Sequence, residues 1–214
     1  MQKRTEYSAY YNQSMTGTEN KTLDYYNQNS QSFTSTTVDV EFSEIQDTFL
    51  GYLKEGALIL DFGCGSGRDT RYFLNKGFSV EAIDGSEEMV RIASENTGIE
   101  VRQMLFQELD ETEKYDGIFA CASILHVKYE DLPDIMTRLH NALKKNGILY
   151  VSFKYGTFEG ERNGRYFTDM TGEKFDALLK EVPPFIKVQE TTTEDVRPGR
   201  SNEKWLNVFL RKPE

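Results

Sequence analysis

Apolar and polar positions along the chain change rhythm several times, and each change marks an element. Leu23, Tyr25 and Tyr26 follow a potential cap at Thr22, and Val38, Phe42, Ile45, Phe49 and Leu53 recur at helical spacing. Two helices are therefore expected before any strand. Residues 57–62 (ALILDF) form an apolar run of buried-strand length that leads straight into glycines. Residues 68–76 read as a helix ended by Gly77, 78–84 (FSVEAID) as a second strand, and Ser86 as the cap of a helix closed by Gly98. Further strands are expected over 99–105, 115–122 and 148–153. Pro133 opens a helix in which Leu132, Ile135, Met136, Leu139 and Leu143 make one apolar stripe. Another helix, 171–182, stops at Pro183-Pro184, and strands 185–192 and 205–211 close the pattern.

Strand and helix in strict alternation imply an α/β fold, because right-handed crossovers place helices on both faces of a parallel sheet. The expectation is a Rossmann-like, seven-stranded, doubly wound sheet, mostly parallel, with a C-terminal antiparallel hairpin. Residues 1–39 are expected to form an N-terminal helical lid and 40–214 the main domain. Residues 154–165 (KYGTFEGERNGR), continuing to Tyr166, and 195–205 (DVRPGRSNEKW) break the pattern and are read as loops.

Composition narrows the class. A chain of 214 residues, 38% apolar and 13% aromatic, fills one domain plus a lid. It holds no run of the roughly 18 apolar residues that a spanning helix needs, and residues 1–11 hold basic residues without an apolar stretch behind them. Neither a membrane segment nor a secretion signal is expected, and the assignment is cytoplasmic. Cys64 and Cys121 form no C-x-x-C pair, which argues for reduced thiols and against a structural metal site. A formal charge of -10 disfavours nucleic acid as a partner, since Lys and Arg supply most affinity for phosphates. The acids concentrate in residues 1–150, with 24 acids to 14 bases, whereas 151–214 hold 11 of each. A small-molecule partner fits best; oligomeric state is not readable.

The chemistry concentrates where the first strand ends, at Asp61-Phe62-Gly63-Cys64-Gly65-Ser66-Gly67-Arg68. Alternating glycines let the backbone approach a ligand closely and present amide hydrogens to it. No G-x-x-x-x-G-K-[ST] exists, so nucleoside triphosphate chemistry is excluded. A dinucleotide fingerprint needs a third glycine where Arg68 stands, which leaves an NAD-dependent oxidoreductase as an alternative.

With its acid before G-x-G-x-G, the segment resembles the first motif of class I S-adenosylmethionine-dependent methyltransferases. The resemblance covers about residues 40–155, and GCGSGRDTRYFL with ASILHV is similar to the small-molecule branch that includes tellurite-resistance and quinone-type enzymes. It implies S-adenosylmethionine as cofactor and S-adenosylhomocysteine as product. Asp84, 17 residues after Gly67, is implied to hold both ribose hydroxyls, as a carboxylate has two oxygens for two vicinal donors. Asp61, Gly63, Cys64, Gly65 and Gly67 are implied beside the methionine moiety. Gly85, Ser86, Met89, Phe106 and Gln107 are implied around ribose and adenine, and Cys121 and Ala122 at the sulfonium.

Methyl transfer from a sulfonium starts from an activated reagent, so orientation supplies most of the catalysis and an obvious acid or base is not required. His126, just beyond the fourth strand, is the candidate base. The [DNS]-P-P-[YFW] motif of many amino-methyltransferases is absent after that strand, which disfavours bases and protein glutamine as acceptors. Arg162, Arg165, Arg197 and Arg200 are candidates to clamp an anionic acceptor, and Tyr25, Tyr26, Tyr166 and Trp205 to wall its pocket. A non-catalytic protein that binds S-adenosylmethionine remains the other alternative.

Overall fold

In the computed structural model, residues 17–197, 199–200 and 202–214 are described; the first part of the expected lid, residues 1–16, lies outside them. Helix α1, Gly17–Thr37, is followed by α2, Ser43–Leu50. The Rossmann alternation comes next: β1 (Leu58–Phe62), α3 (Arg68–Asn75), β2 (Ser79–Asp84), α4 (Glu87–Thr97), β3 (Arg102–Gln103) and β4 (Tyr115–Ala120). It continues through α5 (Leu132–Ala142) and β5 (Leu143–Lys154). After β5 come a hairpin of β6 (Glu159–Arg162) and β7 (Arg165–Thr168), helix α6 (Gly172–Leu179), β8 (Ile186–Glu194) and β9 (Lys204–Arg211).

Seven strands form one sheet in the order β3-β2-β1-β4-β5-β9-β8, while β6 and β7 pair apart from it. β3, β2, β1, β4 and β5 run parallel, and β9 lies antiparallel between β5 and β8. Successive residues feed opposite faces, as a strand's two-residue period requires. Leu60, Phe62, Ile118, Ala120, Leu149, Val151 and Phe153 join the cluster under α5 and α6. Ile59, Phe119, Ile148 and Tyr150 turn the other way and pack with Phe49 of α2 and Phe73 of α3. Both faces are buried, so the strands read as continuous apolar runs rather than alternating ones.

Four expectations are corrected. Thr22 is inside α1 rather than at its start, and its hydroxyl accepts the Tyr166 backbone N–H at 3.1 Å. The third strand shrinks from 99–105 to Arg102–Gln103, because Val101 and Ile99 pack against α4 instead of extending the sheet edge. The fifth begins at Leu143, ahead of the expected turn, with Asn146 taking a left-handed φ of 63° inside it. The expected loop over 154–165 contains the β6–β7 hairpin, whose tip is Asn163-Gly164 with both φ positive, at 51° and 78°. Asn-Gly is the residue pair such a two-residue turn favours.

Beneath the exit of β1 lies a set of buried polar groups. Thr70 donates to Asp61 Oδ2 at 2.6 Å, and Asp69 Oδ1 accepts Gln46 Nε2 of α2 at 2.6 Å. Arg68 grips Asp69 through Nε and Nη2 at 3.0 and 2.8 Å and lies over the Phe42 ring. Burial, then the neighbouring Asp69 charge, pushes the Asp61 carboxyl above its ordinary range.

Two outcomes follow from this packing. Phe119 is fully buried against Phe49, Phe73 and Tyr150, so Phe119→Ala is expected to lower stability by about 3–5 kcal/mol in urea denaturation. A carboxyl raised by folding favours the folded state while protonated and loses that contribution as pH rises through its folded pKa. Asp61→Asn is therefore expected to gain stability relative to the parent as pH climbs above about 4. Melting curves between acid and neutral pH that run parallel for the two proteins overturn it.

Candidate functional site

Between β1 and β4 the strand order reverses, so the crossovers leave in opposite directions and a cleft opens at the carboxyl ends of the strands. The glycine loop at the end of β1 is pinned to the end of β2. Gly63 and Cys64 both donate to the Ile83 carbonyl, at 3.0 and 2.9 Å. Gly65 N–H donates to Asp84 Oδ2 and Ser86 N–H to Asp84 Oδ1, each at 2.9 Å. One backbone donor on each oxygen leaves lone pairs of Asp84, which lines the cleft, open to further donors. Burial pushes the Asp84 carboxyl up, against the opposing pull of the Ser86, Gly65 and Gly85 amides.

Gly63 has no room for a side chain: its φ is 81°, and an added Cβ would meet Ser123 Cβ at 2.5 Å. Gly67, φ 80°, is constrained differently, since its Cβ would strike Thr97 at 2.7 Å and Ala93 of α4 at 3.2 Å. At the end of β4, Ala122 takes a left-handed φ of 50°, sparsely populated by alanine, and donates its N–H to Ser152 Oγ at 2.8 Å. Phe106 stacks on Phe62, centroids 4.5 Å apart. Cys121 Sγ receives Arg68 Nη2 at 3.6 Å, and burial pushes its thiol up to about 12; the Cys64 thiol is raised by burial as well. Both cysteines are free.

Of the residues expected around a cofactor, Gly63, Cys64, Gly65, Asp84, Gly85, Met89, Phe106, Gln107, Cys121 and Ala122 line this one cavity. Asp61, Gly67 and Ser86 do not. Asp61 turns inward to Thr70, Gly67 packs on α4, and Ser86 caps α4 through Met89 N–H while its hydroxyl donates to Asn27 of α1. On the acceptor side Tyr26, His126, Arg165, Arg197, Arg200 and Trp205 line the cavity, whereas Tyr25, Arg162 and Tyr166 stand behind it. Tyr25 lies against the Arg165 guanidinium, Arg162 pairs with Asp169, and the Tyr166 hydroxyl goes to Glu159.

Sequence reasoning missed Phe33, Phe42, Arg68, Asp69, Ser123 and Phe167, all on the cavity wall. Ser123 follows the expected Cys121-Ala122 directly, and Phe33 lies two helical turns beyond Tyr26, so both were within reach of the patterns used. Phe167 was not, because the hairpin carrying it was read as a loop.

His126 is held on both nitrogens. Nδ1 contacts the Tyr166 carbonyl at 2.6 Å, which requires a proton on Nδ1, so Nε2 accepts from the Tyr26 hydroxyl at 2.9 Å. Arg165 Nη1 donates to the same Tyr26 oxygen at 3.3 Å. Burial first, and Arg165 after it, pulls the His126 ring down to about 3. Among the described residues no group of three or more His, Cys, Asp or Glu is placed to hold a metal ion, and no helix is long and apolar enough to cross a membrane.

A methyltransferase domain family matches residues 59–147, from β1 to the start of the buried stretch of β5. An uncharacterized methyltransferase of Staphylococcus carnosus is 30% identical over 124 residues, 54% of this chain and 59% of that protein. A ubiquinone biosynthesis O-methyltransferase of Rhodopseudomonas palustris is 30% identical over 103 residues, 46% of this chain and 40% of that protein. The chain thus spans about half the length of these curated relatives. The crystal structure of Burkholderia thailandensis 1,6-didemethyltoxoflavin-N1-methyltransferase, with bound 1,6-didemethyltoxoflavin and S-adenosylhomocysteine, superposes at a TM-score of 0.70 and 22% identity. That likeness covers 90% of this chain and 85% of the other. With the matched segment seated at the cleft, residues 59–147 match the methyltransferase domain family, on a chain whose seven-stranded sheet has a Rossmann-like methyltransferase fold.

Proposed function

We propose that the protein binds S-adenosylmethionine in the cleft between β1 and β4 and methylates a small-molecule acceptor. The observation behind this reading is Asp84, whose two oxygens each hold one backbone N–H and keep lone pairs toward the cavity. Vicinal ribose hydroxyls suit that carboxylate. Two further features fit the same ligand. Ser123 Oγ is buried without a hydrogen-bond partner among the described residues, and it lies over the bare backbone of Gly63. An NAD-dependent reading fits less well, because Arg68 stands where a dinucleotide loop needs its third glycine.

When bound, S-adenosylmethionine would supply its sulfonium methyl group to an in-line lone pair of the acceptor, with S-adenosylhomocysteine leaving as the neutral thioether. The chain's part is to bind, orient and exclude water. Asp84 holds the ribose, Gly63, Gly65 and Ser123 face the methionine end, and Leu105, Phe106, Gln107 and Met89 enclose the adenine. Tyr26 and Phe33 of α1 cover the cavity from the opposite side, where Phe33 contacts the position a Gly65 Cβ would take at 3.7 Å. The acceptor in this reading is small, as it is for the Burkholderia protein with its bound 1,6-didemethyltoxoflavin.

His126 takes a different role here from the base expected of it. Both nitrogens are engaged and burial keeps the ring neutral, so it positions the Tyr26 hydroxyl. Tyr26 itself is raised above the ordinary phenol range by burial and stays protonated.

Two outcomes test the reading. Asp84→Ala is expected to weaken S-adenosylmethionine binding at least about 100-fold by calorimetry, the sum of two hydrogen bonds to a charged acceptor; parent-like binding removes the assignment. Turnover, once an acceptor is found, is expected to show no inflection near pH 6.5, because a His lowered to about 3 remains neutral throughout the physiological range. An inflection there that His126→Gln abolishes restores the ring as the base.

A further inference from the structure

The cavity wall opposite the glycine loop is built from aromatic rings and paired charges. Arg197 donates Nε to Asp195 Oδ1 at 2.8 Å, and Trp205 Nε1 donates to Asp195 Oδ2 at 3.0 Å. Lys154 pairs with Glu203, and Arg200 reaches the same carboxylate at 3.7 Å. Arg68 is bound to Asp69. Of the lining acids, Asp69 and Asp195 are held by these cations, Asp84 accepts two backbone amides, and Glu194 is exposed.

Arg165 differs from every other cation on this wall. Among the described residues no carboxylate pairs with it. Its guanidinium lies 4.4 Å from the Tyr25 ring centroid, 5.1 Å from Phe167 and 5.6 Å from Tyr26, and its one hydrogen bond is to the Tyr26 hydroxyl. Its Nε is buried and has no hydrogen-bond partner among the described residues. Arginine does not relieve such a position by losing its proton, and ring faces compensate a desolvated guanidinium only in part. Arg165 is thus left without a counter-ion of its own among the described residues.

We infer that Arg165 receives the carboxylate of a planar, singly charged acceptor; the inference rests on the cofactor reading and names the substrate class for the same cleft. The fork of Nε and a neighbouring Nη presents two parallel donors, which matches two coplanar carboxylate oxygens. The single unpaired cation, beside a neutral His126, balances one negative charge and leaves the second charge of a phosphate monoester without a partner. Tyr26, Phe167 and Trp205 wall the same space and accept a flat apolar body. The methionine carboxylate of the cofactor has the same chemistry. The acceptor is assigned to Arg165 because this residue projects from the β6–β7 hairpin beside His126, whereas the glycine loop and the orphaned Ser123 Oγ lie at the β1 exit.

The test uses the full chain, with and without saturating S-adenosylhomocysteine. Benzoate, cinnamate and indole-3-acetate are each titrated against their neutral amides by saturation-transfer NMR. At least one acid is expected to bind roughly tenfold more tightly than its amide. Arg165→Gln is expected to erase that difference, Arg165→Lys to keep part of it, and S-adenosylhomocysteine affinity to stay within about threefold in both. Acids and amides binding alike, no acid binding, or an unchanged preference in Arg165→Gln overturns the inference. A large loss of S-adenosylhomocysteine affinity in Arg165→Gln overturns it too, by handing the guanidinium to the cofactor's own carboxylate. Failure of the parent to bind S-adenosylhomocysteine, with the acid preference intact in its absence, sinks the cofactor reading and leaves the anion subsite standing.

Discussion

The exits of β1 and β2 are tied together by one carboxylate and one carbonyl, and the architecture of the cleft depends on that tie. Asp84 takes an amide from the glycine loop on one oxygen and an amide from its own turn on the other, while the Ile83 carbonyl takes two more from the loop. A glycine loop without such anchors would sample many conformations, since glycine loses more backbone freedom on ordering than any other residue. Here the same group that orders the loop also lines the cleft with lone pairs to spare.

The anchoring extends downward as well. Asp61, Thr70, Asp69, Gln46 and Arg68 form a buried polar set that joins β1, α2 and α3 beneath the loop. Burying carboxylates is unfavourable unless hydrogen bonds replace water, and each of these receives at least one. Asp61 therefore supports the cleft from below rather than reaching into it, and its elevated carboxyl reflects that dry position. Arg68 links this set to the cavity wall through its contacts with Cys121 and the Phe42 ring.

Helix α1 completes the cavity from outside the sheet. It is bound by side-chain contacts spread along its length: Thr22 to the Tyr166 backbone, Asn27 to Ser86, Tyr26 to His126 and Arg165. Most of these partners belong to the β6–β7 hairpin or the turn after β4, which are remote in sequence. A helix with a weakly apolar face is held by specific polar contacts more than by buried area, and its register on the domain is correspondingly well determined.

Local signals in the chain were sufficient for the alternation of strands and helices, the glycine loop, the capping role of Ser86, and the acid at the end of β2. These depend on residues close in sequence: apolar runs, two- and 3.6-residue periods, and the few residue types that tolerate a left-handed backbone. The β6–β7 hairpin was legible too, in Asn163-Gly164, but its strands are too short and too polar for periodicity to mark them. Which side chains face the ligand was decided only by tertiary packing. Asp61 and Asp84 look alike at the ends of successive strands, yet one points into a buried network and the other into the cavity. Arg162 and Arg165 lie on the same hairpin and both meet the Phe167 ring, and only Asp169 beside the one, and the rings of α1 beside the other, separate a structural ion pair from an unpaired charge. The contact of Arg165 with Tyr26 spans 139 positions, and even the nearer partners, Thr70 for Asp61 and Asp169 for Arg162, are chosen by how the elements pack, which no local pattern encodes.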